Sequence, residues 1–228
     1  MGWWMEMTSE STQDAKKIVL SACQEMQKAA LVIGSSGNAS VRLASNGQIA
    51  ITPSSVDYSC MNAADVMILN LDGDVIEGDR NPSIEYPLHI AIYKARPDVN
   101  AIVHTHCIYA SALAVLRHPL PPIIDEFVIK LGGQVEVADY GLPGSTDLAN
   151  NVVTALGPRN AVLLANHGGV TVGSTMDSAL HNALLLERVA HIYLLAAAVD
   201  MNKITMIPPD AVEMQQQMFE MMKRFNKG

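Results

Sequence analysis

Residues 38–52 read Asn-Ala-Ser-Val-Arg-Leu-Ala-Ser-Asn-Gly-Gln-Ile-Ala-Ile-Thr. Two short extended candidates, 39–43 and 48–52, flank Asn46-Gly47, a dipeptide that tolerates the left-handed backbone of a tight hairpin. Residues 66–77, Val-Met-Ile-Leu-Asn-Leu-Asp-Gly-Asp-Val-Ile-Glu, repeat the device, with strands at 66–71 and 75–77 around Asp72-Gly73. Such hairpins outnumber clean strand–helix–strand crossovers in this chain. The expected fold is therefore one α/β domain with a substantial antiparallel sheet.

Working outward, Asp14 to Val32 has Ile18, Val19, Ala22, Met26, Ala29 and Ala30 at helical spacing, ending at Gly34. The turn Ser35-Ser36-Gly37-Asn38 follows it. A second helix is expected over 85–96, and an apolar strand over 101–104. The second half continues with a helix at 111–116, a strand at 134–137 and a helix at 146–156 opened by Ser145-Thr146-Asp147. A buried strand over 161–166 runs into His167-Gly168-Gly169, extended chain continues over 170–172, and a long helix covers 176–199. No repeat or linker divides the chain. The expected organisation is a single domain over 1–228, with 208–228 a Met-rich helical tail after the Pro208-Pro209 break.

Composition narrows the function classes. Apolar residues make up 49% of the 228 and charged residues 17%, which excludes a disordered chain. Fifteen Lys and Arg against 23 Asp and Glu leave a formal charge of -8, a poor match to nucleic acid. Cys23, Cys60 and Cys107 are odd in number and form no CxxC pair, which fits a reducing compartment. The N-terminal Met-Gly-Trp-Trp segment lacks a basic and apolar leader pattern, and the apolar stretches are too short to span a bilayer. A cytoplasmic protein without membrane or nucleic-acid partners is expected.

The chemistry centres on Ala-Ile-Val-His-Thr-His, residues 101–106. In extended chain, residues two apart share a face, so His104 and His106 project together. His167 ends another apolar strand, followed by two glycines that let a ligand approach. Glu85 opens a helix and can supply a carboxylate at the same end of the sheet. Three imidazoles and a carboxylate make a zinc set, although His-x-His also arises by chance and a structural pair is its plainer reading. His89, His118, His181 and His191 sit in no such context, the last two on the core edge or surface of the long helix. Three turns, 35–38, 52–55 and 81–83, are rich in hydroxyls and glycine and could cradle an anion or serve simply as turns and caps. No P-loop or GxGxxG fingerprint is present.

The segments Ser-Gly-Asn-Ala-Ser-Val-Arg (36–42), Ile-Thr-Pro-Ser-Ser (51–55), Pro-Ser-Ile-Glu (82–85), Val-His-Thr-His (103–106), Leu-Gly-Gly (131–133) and Asn-His-Gly-Gly (166–169) together resemble the class II aldolase/adducin family. The resemblance runs in order from about Asp14 to Asp200. It implies a three-layer α/β/α sandwich around a mainly antiparallel sheet, assembled as a fourfold homotetramer with active sites between subunits. It also implies one Zn2+ per subunit on His104, His106 and His167, with Glu85 as a displaceable fourth ligand and acid/base. Carried over by position, Ser35, Gly37, Asn38, Ser54, Ser55 and Ser83 would hold the phosphate of a sugar-phosphate substrate.

Two positions depart from the family's pattern. Ile84 stands where a second serine is usual, and Glu126 stands where some members carry a tyrosine acid. The implied activity is that of a lyase, cleaving a ketose 1-phosphate to dihydroxyacetone phosphate and an aldehyde with Glu85 and Glu126 moving protons. A dehydratase or epimerase on the same scaffold is the alternative. A metal-free binding module of the adducin kind is disfavoured by the retention of all four candidate ligands.

Overall fold

The computed structural model describes residues 11–43 and 47–225. The readings made on Asn46, on the N-terminal segment 1–10 and on the last three residues lie outside the described residues. Helix α1, Thr12–Lys28, starts where the Ser11 side chain accepts from the Asp14 N–H, with Asp14 in the first turn and Lys28 in the last. It stops earlier than the apolar spacing suggests, because Ala30 takes a left-handed backbone with φ 57 before Gly34 is reached.

The two hairpins form as expected. Strands β1, Asn38–Arg42, and β2, Gln48–Ile51, pair antiparallel, as do β3, Met67–Asn70, and β4, Val75–Glu77. Helix α2, Tyr86–Ala95, leads into β5, Ala101–Thr105, and then α3, Ile108–Leu116. Helix α4, Asp125–Leu131, is absent from the sequence reading, since Ile124 at its N-cap offers no capping side chain. The expected strand at 134–137 shrinks to β6, Val137–Ala138, while Val135 makes only an isolated bridge to Leu120. Helix α5 spans Thr146–Leu156 with Ser145 capping it. Strands β7, Ala161–Leu164, and β8, Gly168–Gly173, form a third hairpin. Helices α6, Met176–Asp200, and α7, Pro209–Phe225, follow among the described residues.

Among the described residues, eight strands make one sheet in the order β4-β3-β2-β1-β5-β8-β7-β6, antiparallel throughout except for the β6–β7 pair. Alternation along the strands divides the core in two. Ala39, Val41, Ala101 and Val103 face α1, α3, α4 and α6 with Ile18, Leu113, Phe127 and Leu186. Ile49, Ile51, Ile102 and Val172 face α2 and α5 with Leu88, Ile92, Leu148 and Val152. The architecture is the three-layer α/β/α sandwich. Helix α7 lies on α4, with Phe219 buried against Gly132 and the Gln216 amide donating to the Gly132 carbonyl at 3.2 Å. Its Met214, Met218, Met221 and Met222 remain exposed. Among the described residues, no helix is long and apolar enough to cross a membrane.

Candidate metal centre

The ends of β1 and β5, the β7–β8 turn and the start of α2 meet at one end of the sheet. His104, at the fourth position of β5, is fully buried on the α2 side. Its Nδ1–H donates to the Gly169 carbonyl at 3.0 Å, which leaves the Nε2 lone pair aimed at its neighbours. His106 follows just past the strand and brings its Nε2 to 2.9 Å from His104 Nε2. His167 does not extend a strand. Strand β7 stops at Leu164, and Ala165–His167 form the turn, with Asn166 left-handed at φ 57. Asparagine tolerates that conformation better than a branched residue would.

Two glycines allow this convergence. At Gly37, with φ 70, a Cβ would stand 2.5 Å from the His104 carbonyl oxygen. At Gly168 it would collide with the Thr105 carbonyl and press on the His106 ring. Neither position leaves room for a side chain.

Glu85 occupies the N-cap of α2, with Pro87 in the first turn, and is 5% exposed. Its Oε2 lies 3.2 Å from His104 Nε2 and its Oε1 3.6 Å from His167 Nε2. One ligand atom from each of Glu85, His104, His106 and His167 falls within 4.8 Å of the others. The three rings pack edge to face at 4.8–4.9 Å between centroids. Glu85 Oε1 and His167 Nδ1 are buried without a hydrogen-bond partner. Buried polar atoms left unpaired are costly, and lone pairs converging beside a carboxylate repel one another unless a cation sits among them. The N3O donor set suits a divalent ion of borderline softness.

The four groups also shift one another electrostatically. Burial opposes ionisation of Glu85, but the charges and hydrogen bonds of His104, His167 and Asn38 outweigh it and hold the carboxyl far below its usual range. For His104, burial disfavours the cation while the Glu85 carboxylate overcomes this and raises its pKa. Burial, together with the neighbouring His104 charge, pushes His106 and His167 down to about 4.

The hydroxyl-rich turns lie beside this cluster. Ser83 stands two residues before Glu85, and its Oγ accepts from the Glu85 N–H at 3.3 Å. The Ser83 N–H donates to Thr52 O, and the Ser54 N–H to Asn81 O, which ties turn 52–55 to turn 81–83. Ser54 and Ser55 place their hydroxyls 3.3 Å apart. The Tyr58 hydroxyl donates to the Gly37 carbonyl at 2.7 Å and anchors the third turn, where Ser35 is exposed. Asn38 is engaged differently from the others. Its amide donates to Glu85 Oε2 at 2.8 Å and accepts from His89, so both ends of the side chain are taken internally.

Two residues lie where the sequence pattern does not point. His89 has no ligand spacing, yet it is fully buried beside Asn38, and burial pushes its pKa down to about 3. The signal that could have found it is its place four residues after Glu85, on the same helical stripe. Glu126, by contrast, takes no part in the cluster of Glu85 and the three histidines. It sits half-exposed in the first turn of α4, 3.6 Å from His181 on α6. Lys130, in the last turn of α4, gives its carbonyl to Asn160.

Comparison with known proteins bears on this centre. The profile of the family described as Class II Aldolase and Adducin N-terminal domain matches residues 17–194. The 5-deoxy-D-ribulose 1-phosphate aldolase of Bacillus thuringiensis serovar kurstaki is 35% identical over 209 residues, covering 91% of this chain and 96% of that protein. The L-fuculose phosphate aldolase of Escherichia coli strain K12 is 32% identical over 181 residues, covering 79% and 83%. A solved structure of an L-fuculose 1-phosphate aldolase superposes with a TM-score of 0.88 at 33% identity, covering 92% of this chain and 98% of that one.

Proposed function

The chain belongs to the class II aldolase and adducin family, and on that footing we propose that it is a zinc-dependent aldolase of deoxy-ketose 1-phosphates. It splits them into dihydroxyacetone phosphate and an aldehyde. The observation that carries the reading is the convergence of three imidazoles and a buried carboxylate beside hydroxyl-rich turns. His104, His106 and His167 hold the zinc, with Glu85 as the exchangeable fourth ligand. When bound, the ion supplies Lewis acidity toward the substrate's carbonyl and hydroxyl oxygens. The names of relatives that act on 5-deoxyribulose and fuculose phosphates support the substrate class.

The chain's own residues do the rest. Ser35, Gly37, Ser54, Ser55 and Ser83 offer hydroxyls and backbone to the phosphate, with the Asn38 side chain turned toward Glu85. Glu126 takes the proton from the C4 hydroxyl as the C3–C4 bond breaks and the aldehyde forms. The bond's electron pair stays with the dihydroxyacetone phosphate half. Glu85, having taken the C3 hydroxyl proton as the substrate's oxygens displace it, delivers that proton to C3, and the proton on Glu126 passes through solvent to the C3 oxygen. Because Glu126 faces His181 rather than its own cluster, it serves the site of a neighbouring subunit in a homotetramer. The exposed apolar residues on α7 supply surface for such an assembly.

The test is incubation with L-fuculose 1-phosphate, 5-deoxyribulose 1-phosphate and 5-methylthioribulose 1-phosphate, followed by an assay for dihydroxyacetone phosphate. Release of that product, abolished by a chelator and restored by zinc, is expected. Products that keep every carbon of the substrate would instead assign a dehydratase or epimerase.

Metal affinity should also depend on pH in a defined direction. Every ligand imidazole must shed its proton to bind. His106 and His167, held near 4, are already neutral at mildly acidic pH, so protons compete at His104, whose pKa is raised. The zinc dissociation constant is expected to be flat at high pH. It should rise by about tenfold per unit once pH falls below the His104 value, which lies above the ordinary histidine value of about 6.5. A constant that stays level from pH 8 to pH 5 would exclude His104 as a ligand.

A further inference from the structure

A continuous polar seam runs between α2 and β1 beneath the metal centre. Glu85, His89 and Tyr93 are spaced four residues apart and form one stripe on the start and body of α2. Asn38, Ser40 and Arg42 are spaced two apart on β1 and face it. Four helical residues rise about 6 Å. Two strand residues rise about 6.6 Å. The two rows therefore stay in step. Asn38 meets Glu85 and His89, Ser40 meets His89 and Tyr93, and Arg42 lies over the Tyr93 ring at 4.7 Å while donating to its carbonyl.

The hydrogens along this seam have one consistent arrangement. As a metal ligand Glu85 is a carboxylate, so its Oε2 accepts, and the Asn38 atom facing it at 2.8 Å must be the NH2 group. Asn38 then presents its carbonyl oxygen to His89 Nε2, which must carry the proton. His89 Nδ1 is left as acceptor for the Ser40 hydroxyl at 2.6 Å, and Ser40 accepts in turn from the Tyr93 hydroxyl at 2.8 Å. The opposite tautomer would set either two acceptors face to face at Asn38 or the amide oxygen against the carboxylate. Asn38, Ser40, His89 and Tyr93 are all buried, in a layer where apolar residues would pack without hydrogen-bonding demands. The seam ends on Glu85.

We propose that His89 is a positioning residue for the metal centre: its Nε2–H pins the Asn38 amide so that the amide donates to Glu85 and aims that carboxylate at the three imidazoles. This rests on the reading of Glu85, His104, His106 and His167 as a metal centre. With Oε2 held by Asn38, Oε1 is the oxygen left without a hydrogen bond, facing His167. A buried but purely structural histidine would have no reason to dictate the amide's orientation.

The experiment compares wild type, His89→Phe and His89→Gln. Phenylalanine fills the space without a donor, whereas the glutamine NH2 group reaches the place of Nε2. In the metal-free wild type, 15N NMR of the imidazole is expected to show the Nε2–H tautomer. In His89→Phe, kcat for dihydroxyacetone phosphate release should fall by on the order of tenfold or more with KM little changed. The visible spectrum of the Co2+-loaded protein should shift, and His89→Gln should recover most of both.

Wild-type rates and spectrum in His89→Phe, or a glutamine variant no better than phenylalanine, would overturn the proposal. So would an Nδ1–H tautomer, and that measurement decides the matter if His89→Phe does not fold. Wild-type protein that takes up neither Co2+ nor Zn2+ would instead remove the metal centre itself.

Discussion

Replacing His167 by alanine is expected to strip the protein of its metal and lower turnover by on the order of a thousandfold or more. His167 is the imidazole best suited to this test because it stands in the β7–β8 turn rather than in a strand. Its loss leaves the sheet and both halves of the core in place, whereas His104 is wholly buried within β5. A catalytic metal supplies several kcal/mol of charge stabilisation. At 1.36 kcal/mol per factor of ten, about 4 kcal/mol corresponds to roughly a thousandfold. Metal per subunit after desalting, circular dichroism and product release should be measured on the same preparation. Full metal content with unimpaired turnover in a folded variant would take His167 out of the centre.

Glu126→Gln is expected to keep the metal and the substrate's KM while losing on the order of a hundredfold in kcat, the usual scale of one general acid–base group. The placement of Glu126 on α4, against His181 and away from its own cluster, adds a second and more pointed expectation. If the carboxylate serves a neighbouring subunit, neither Glu126→Gln nor His104→Ala homo-oligomers should turn over well. Co-refolded or co-expressed mixtures should regain activity, because some sites then combine an intact His104 with an intact Glu126 from next door. Unchanged turnover in Glu126→Gln would mean that the proton leaves by another route. A deficient variant that mixing never rescues would place Glu126 in its own subunit's chemistry.

Local signals carried much of this molecule. Strand β4 matches its expected bounds because Asp72-Gly73 sets the turn, and α5 matches because the Ser145 hydroxyl caps it. The three imidazoles were legible because strand alternation and a following glycine pair are properties of neighbouring residues. Where no local signal exists, the reading failed. Helix α4 has no capping side chain, and the strand expected after it in the chain, over 134–137, gives way to the two-residue Val137–Ala138. The strand over 161–166 ends early because Asn166 adopts the left-handed conformation that turns the chain into β8.

What the linear order of residues settled by itself was the antiparallel α/β class, the hairpins and the identity of the candidate ligands. Each rests on interactions within a few residues, whose energetics are the same wherever the segment lies. What only the tertiary structure decided was which groups share a hydrogen. Asn38 appeared in sequence as one of several residues suited to a phosphate, and His89 as a histidine without context. Packing α2 across β1 brings them together across 51 positions of chain and commits both ends of the Asn38 amide before any ligand arrives. The same packing leaves Glu85 Oε1 buried without a hydrogen bond and carries Glu126 away to α4. Contacts of that kind depend on how two rows of side chains, rising at nearly equal rates on a helix and a strand, come into register. No local pattern encodes that register, because it is set by the core on either side of the seam.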